Sequence, residues 1–316
     1  MSGRFAPSPT GDLHLGNLRT ALLAWLAARA ARERFVVRME DLDRVTSSRQ
    51  IAAAQLADLG ALGLDWDGPV VFQSDRFDRY RAAIDALTGA GRVYPCYCTR
   101  REIRAEIAAA SAAPHGPSGG YPGTCRDLTA SERAAREAEG RPAALRLRAD
   151  GERFRFVDAI VGPYEGAVDD VVLARADGVP AYNLAVVVDD AAQHITQVVR
   201  GDDLLESTAR QIFLHQLLGH PVPEYAHVPL VVDAAGQRLA KRAGAANTAV
   251  TLSELVRAGV RPGHVAAALG RSLGLRVDAD ATPADLVDAF AVAGFAAVNR
   301  APAGVHRIAT ELLPNR

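Results

Sequence analysis

Near the start of the chain, His14, Gly16 and Asn17 stand together in "HLGN", after the turn-rich "PSPTGD" and at the head of an apolar run with helical spacing. A helix N-terminus exposes unpaired N–H groups and the positive end of the helix dipole, so it suits a phosphate. There His14 can donate to a phosphate oxygen as charge moves onto it in a transition state. Gly16 lets a ligand lie against the backbone. Taken alone, these four residues describe an ordinary helix cap more readily than a site.

The second chemical feature is compositional. Of the 36 basic residues, 35 are arginine and the remaining one is Lys241, in "RLAKR" at 238–242. A lysine ammonium is a compact point charge on a flexible stem and can follow a phosphate through a reaction, which the planar guanidinium fork does less well. The third feature is a cluster of the chain's three cysteines, Cys96, Cys98 and Cys125. An odd, clustered set argues against a disulfide framework and for a metal site or a chance cluster. Three thiolates plus one further ligand would make a tetrahedral structural zinc site. On chemistry alone the fourth ligand is open: His115 is the obvious imidazole, and Tyr121 would have to bind as a phenolate.

The elements that must position these residues follow from periodicity. Residues 3–6 read as a short strand. Leu15, Leu18, Leu22, Trp25 and Leu26 recur at helical spacing over 15–32. "RFVVRMED" reads as a strand ending in acidic residues, and 47–63 and 75–90 read as helices. This alternation predicts an α/β fold with a doubly wound parallel sheet. Residues 111–124, "SAAPHGPSGGYPGT", read as an irregular loop. From 144 to 200 strands are expected in "ALRLRA", "RFRFVDAI", "AVDDVVLAR" and "AYNLAVVVDD". A helix over 204–218 and a strand in "VPLVV" follow, and 251–316 alternates short helical patterns with Gly and Pro.

The 316 residues suffice for two or three domains and a full core. No apolar run reaches the roughly 18 residues of a membrane span, and the N-terminus lacks a signal-peptide pattern. A cytoplasmic protein is expected. A net charge of −1 rules out a global basic field, so any nucleic-acid contact must rest on a local patch.

"RFAPSPTGDLHLGNLRTAL" closely resembles the opening of the glutamyl-tRNA synthetases, class I enzymes with a HIGH signature, and "HLGN" departs from that pattern at its last residue, where Asn17 replaces a histidine. "RLAKR" stands where that family has its mobile KMSKS loop, with Lys241 at the second lysine. The resemblance implies ATP binding by His14, Gly16, Asn17 and Lys241, with His14 and Lys241 catalytic and Mg2+ accompanying the ATP. Family segments also surround Arg4 and Ser8 ("RFAPS"), Glu40 ("RMEDLD"), Tyr182 ("AYNLAVVVDD") and Arg200 ("VVRGDDLL"), and the resemblance assigns these five to glutamate. The chemistry agrees: glutamate needs arginines for bidentate carboxylate pairing and an acid for its ammonium.

The resemblance spans residues 3 to about 245. The pattern C-x-C followed by Y-x-x-x-C is similar to that of the short glutamyl-Q tRNA(Asp) synthetases, which implies Tyr121 as the fourth ligand to a structural Zn2+. The expected organisation is a Rossmann-like catalytic domain over 1–95 and 144–245, an inserted zinc-containing region over 96–143, and a short helical region over 246–316 with no anticodon-binding domain. The implied reaction is ATP-dependent activation of glutamate and its transfer to queuosine in the anticodon of tRNA(Asp), by a monomer with no membrane partner. Arg100, Arg101 and Arg104 are candidates for the RNA contact, although on sequence alone a solvated helix face explains them better. Two alternatives stand beside this one: a truncated glutamyl-tRNA synthetase charging the tRNA acceptor end, and a non-catalytic paralogue that binds glutamate or nucleotide. A small-molecule nucleotidyltransferase would share the histidine loop but not the glutamate-pocket segments.

Overall fold

The structure is a computed structural model and describes residues 2–111, 121–232, 250–298, 303–304, 308 and 311–312. Strand β1 (Gly3–Phe5) turns into helix α1 (Leu15–Ala30), followed by β2 (Phe35–Met39), α2 (Arg49–Ala61), β3 (Val71–Phe72) and α3 (Phe77–Gly89). Next come β4 (Val93–Cys96), α4 (Arg100–Ser111), α5 (Ala130–Ala138), β5 (Ala144–Leu147), β6 (Arg153–Asp158), β7 (Gly162–Ala167) and β8 (Val172–Ala174). The chain continues through α6 (Tyr182–Ala192), β9 (Gln197–Gly201), α7 (Thr208–Leu217), β10 (Glu224–Val228) and β11 (Val231–Val232). Helices α8 (Leu252–Arg257), α9 (Pro262–Ser272) and α10 (Pro283–Ala293) and strand β12 (Ala303–Gly304) complete it.

Strands β1, β2 and β3 form a parallel sheet with Arg4 opposite Val36 and Met39 opposite Phe72. Strands β9 and β10 pair in parallel, with Arg200 opposite His227. The two groups meet where the amides of Thr196 and Gln197 donate to the Ser2 carbonyl at 3.0 and 3.1 Å. All five residues of β2 are buried, as expected of a parallel strand covered on both faces. The result is a Rossmann-like α/β fold. Its strands end at one edge, and ligands bind open α/β sheets beyond the carboxyl ends of the strands.

Helix α1 is apolar nearly all round because it is covered on both sides. It packs on β1, β2 and β9 and also against α9 and α10. Leu22, Leu26, Leu269, Leu286 and Phe290 thus belong to a single core. Arg19, fully buried in this helix, donates to the Pro229 carbonyl at 2.8 Å and to Oγ and the carbonyl of Ser272 at 3.1 and 3.2 Å. Burial lowers its pKa to about 10. The cysteine segment leaves and returns through β4 and β5, an antiparallel pair with Cys96 opposite Ala144. No helix among the described residues is long and apolar enough to cross a membrane.

Two expectations from the sequence are corrected. "AYNLAVVVDD" is helix α6 rather than a strand. Its β-branched run imitates a buried strand, but Leu184 to Asp190 are all buried, and helices covered on several sides lose their amphipathic period. "VPLVV" is not one strand: Val228 ends β10, and β11 begins at Val231. Pro229 has no N–H to donate to a ladder.

Candidate active site

His14 is the N-cap of α1. Its Nδ1 accepts from the amides of Gly16 and Asn17 at 3.1 and 3.3 Å, and Oδ1 of Asn17 accepts from the His14 amide at 3.3 Å. This reciprocal cap satisfies otherwise orphaned donors at the helix start. It also fixes the ring: because Nδ1 accepts, the neutral imidazole carries its proton on Nε2. Asn17, the residue that departs from the HIGH pattern, therefore has a structural task of its own. A Cβ on Gly16 would stand 2.9 Å from Cε1 of His14 and 3.0 Å from its Nδ1. The glycine is needed to admit the histidine ring, a reason the sequence did not suggest.

Lys241 lies outside the described residues, as does His115. The described residues on either side of the segment that holds Lys241 lie at the start of α1. Val231 would touch a Cβ on Gly16 at 3.4 Å. At the other end the Leu15 amide donates to the Val250 carbonyl at 3.0 Å, and Thr251 forms a bridge with His14.

One cleft, of about 470 Å3, is lined by Arg4, Ser8, His14, Gly16, Asn17, Glu40, Tyr182 and Arg200. Every described residue predicted to bind ATP or glutamate is therefore brought to one place. Arg4 reaches it from β1, Glu40 from the end of β2 and Arg200 from β9; Tyr182 comes from the first turn of α6 rather than from a strand end. Behind them lies a buried charge network. Arg38 Nη1 meets Oδ1 of Asp190 at 2.7 Å and Nη2 meets Glu40 at 3.3 Å, while Asp190 also lies 3.5 Å from Nε of Arg4. Burial works against charge on Arg38, but Asp190, Glu40 and Asp189 outweigh it and raise its pKa. Burial raises the Glu40 carboxyl, against the pull of Arg38 and Arg4. Tyr182 is held as a phenol by burial and by Glu40.

The two cleft arginines differ in what they can offer. Four of the five N–H groups of Arg200 are used inside the protein, on His227, Gln211, Leu204 and Thr208. It can present one N–H, not a fork. Arg4 gives Nη1 to the Val199 carbonyl at 3.1 Å, which leaves it able to pair with a carboxylate as a fork. Sequence reasoning missed Arg38, Asp189 and Asp190, though two adjacent acids in an apolar run already demand a buried cation. It also missed Asp158, Thr208, Gln211 and His227, whose roles depend on long-range partners.

The sulfurs of Cys96, Cys98 and Cys125 lie within 4.8 Å of one another. The hydroxyl of Tyr121 is 3.3 Å from Sγ of Cys96 and 3.7 Å from Sγ of Cys98, and it accepts the Cys125 amide at 3.0 Å. The Arg146 guanidinium lies 3.8 Å from the centre of the tyrosine ring. Burial pushes the Cys98 thiol up to about 12. Three sulfurs and one phenol oxygen thus converge as a four-donor set that could hold a metal ion.

Residues 1–282 match the family of tRNA synthetases class I (E and Q), catalytic domain. The chain is 65% identical over 274 residues to the glutamyl-Q tRNA(Asp) synthetase of Nocardia farcinica, covering 87% of this chain and 85% of that protein. It is 51% identical over 284 residues to the enzyme of that name from Symbiobacterium thermophilum, covering 84% and 85%. A glutamate–tRNA ligase of Geotalea uraniireducens is 44% identical over 246 residues, which cover 77% of this chain and 51% of that protein. Among solved structures, a glutamate tRNA ligase from Elizabethkingia meningosepticum superimposes with a TM-score of 0.81 at 25% identity, covering 99% of this chain and 68% of that one. With residues 1–282 matching that family and 65% of 274 aligned residues shared with such a relative, the chain belongs to the class I glutamyl and glutaminyl tRNA synthetase family and, within it, to the glutamyl-Q tRNA(Asp) synthetases.

Proposed function

We propose that this chain activates glutamate with ATP and transfers it to the queuosine of tRNA(Asp). In the first step the glutamate α-carboxylate attacks the α-phosphorus of ATP, giving glutamyl-adenylate and releasing pyrophosphate. In the second a hydroxyl of the cyclopentene-diol attacks the activated carbonyl, and AMP leaves as the ester forms. The observation that carries this reading is the single cleft that joins the capped start of α1 to Arg4, Ser8, Glu40, Tyr182 and Arg200. Arg4 pairs with one glutamate carboxylate as a fork and Arg200 steadies the substrate through one N–H, while Glu40 faces the ammonium. Phosphate oxygens lie at the N-terminus of α1, where Nε2 of His14 donates. Lys241 neutralises charge on the departing pyrophosphate, and Mg2+ brought in with ATP would share that charge. The reaction belongs in the cytoplasm, where ATP and tRNA meet.

A second reading, charging of the tRNA acceptor end, is favoured by the 44% identity to a glutamate–tRNA ligase. Pyrophosphate exchange in the absence of RNA separates the two. Glutamate-dependent exchange with no tRNA is expected; a strict requirement for tRNA(Glu) would overturn the proposal. The RNA contact falls on α4, where Arg100, Arg101 and Arg104 are all exposed.

Zinc completes the account as a structural clip across the insertion between β4 and β5, held by Cys96, Cys98, Cys125 and Tyr121. Purified protein should contain about one zinc per chain. Tyr121→Phe keeps the ring under Arg146 but removes the oxygen. It should weaken zinc in a chelator competition by at least the roughly 10–100-fold that even an outer hydrogen-bonding partner contributes. An unchanged affinity would remove Tyr121 from the ligand set.

A further inference from the structure

Behind Arg200 lies a second polar network with no part in the chemistry above. Nε of Arg200 donates to Nε2 of His227 at 3.0 Å, and Nδ1 of His227 lies 2.6 Å from Oδ2 of Asp158. All three side chains are buried. They come from β9, β10 and the end of β6, and Arg200 and His227 are register partners on adjacent strands. Asp158 is fully committed as an acceptor. Its Oδ1 takes the amides of Ile160 and Val161 at 3.0 and 2.9 Å, and both its oxygens lie 3.1 Å from the His227 amide.

This pattern determines the proton on the histidine. A guanidinium N–H can only donate, so Nε2 of His227 must be bare. The Thr208 hydroxyl, 3.2 Å from the same nitrogen, accepts from Nη2 of Arg200 at 2.9 Å. The ring proton therefore sits on Nδ1, and only an obligate acceptor opposite Nδ1 holds it there. A carboxylate is such an acceptor, whereas an amide is not. We infer that Asp158 and His227 are positioning residues that, by fixing one histidine tautomer, orient the Arg200 guanidinium toward the glutamate in the cleft. The inference rests on the assignment of Arg200 to glutamate.

The test is a set of variants assayed by pyrophosphate exchange. In Asp158→Asn the amide oxygen stays with the Ile160 and Val161 amides, and the NH2 group faces Nδ1. The ring proton then moves to Nε2, and two donors confront each other at Arg200. KM for glutamate is expected to rise about 10–100-fold, the consequence of losing a buried hydrogen bond to a charged group, with KM for ATP and kcat changed far less. His227→Gln has no tautomers, and its amide oxygen can take the place of Nε2. In that background Asp158→Asn should change KM for glutamate by no more than about twofold to threefold. An equal rise in both backgrounds would overturn the inference, because Asp158 would then act only through its backbone contacts. Nitrogen-15 NMR of histidine-labelled full-length protein gives an answer independent of activity. The Nδ1–H tautomer at His227 is expected in the parent and the Nε2–H tautomer in Asp158→Asn; an Nε2–H parent would refute the network. Arg200→Gln is the control for the underlying assignment. If it leaves KM for glutamate unchanged, the assignment of Arg200 fails and the inference fails with it.

Discussion

Replacing Lys241 with alanine is expected to lower glutamate-dependent pyrophosphate exchange by about 10²–10³-fold, the usual consequence of losing one preorganised charge-stabilising donor. Every other basic residue is arginine, so a lysine here marks a site that needs a point charge able to move with a phosphate. The described residues that flank it lie against Gly16 on one side and pair with His14 on the other, and His14 caps the helix proposed to take the phosphates. Lys241→Arg keeps the charge and changes its shape, and exchange should still fall. Glutamate binding depends on other residues, so glutamate should raise the thermal midpoint of both variants as much as it does that of the parent. Exchange at the parental rate in Lys241→Ala would contradict the catalytic assignment of this segment and favour a non-catalytic binding protein.

The second large effect is on stability. Arg38 is fully buried and compensates Asp190, Asp189 and Glu40 together. Removing one partner of a buried charge network leaves uncompensated charge and costs about 3–5 kcal/mol. In a chain of this size, Arg38→Met should lower the thermal midpoint by about 5–8 °C. The pH dependence has a definite sign. In the parent Asp190 is opposed by burial, yet Arg38 and Arg4 hold its pKa below the ordinary carboxylate value. Its contribution to stability is present above the unfolded value of about 3.9 and is lost as pH falls through the folded one. Without Arg38, burial dominates and the carboxyl is pushed upward, so ionisation destabilises the fold. The gap between variant and parent should therefore narrow as pH is lowered from 7 toward 4 in thermal melts. A gap that widens would mean that Asp190 is not the group Arg38 compensates. The variant's glutamate KM should rise as well, because Arg4 and Glu40 border the same network.

The parts of this molecule that could be read from sequence are those whose physics is local. The start of α1 carries its signal within four residues, because an N-cap and its first-turn partner satisfy each other. The buried strand β2 is a short apolar run ended by acids, and the cysteine spacing survives any fold. The failures have a common cause. Helix α6 resembles a strand because Val186, Val187 and Val188 are β-branched, and only its neighbours on several sides make the helix the better choice. In strand β10 His227 interrupts the apolar pattern; that histidine is buried with Asp158, 69 residues away, as its hydrogen-bond partner at Nδ1. Glycine 16 was legible as a glycine that matters, but the reason, room for the His14 ring, required coordinates. The glutamate pocket was found through resemblance. Arg4, Glu40, Tyr182 and Arg200 share no spacing that links them, and only the packing of the strands with α6 brings them together.

The central claim is that glutamate goes to queuosine rather than to the acceptor end of a tRNA. Its most direct test supplies labelled glutamate and ATP to the full chain with tRNA(Asp) that contains queuosine and with tRNA(Asp) that lacks it, then cuts the products to separate the anticodon arm from the acceptor arm. Label on the anticodon arm of the queuosine-containing tRNA alone is the predicted result. Equal labelling of both tRNAs, or label on the acceptor arm of tRNA(Glu), would contradict it.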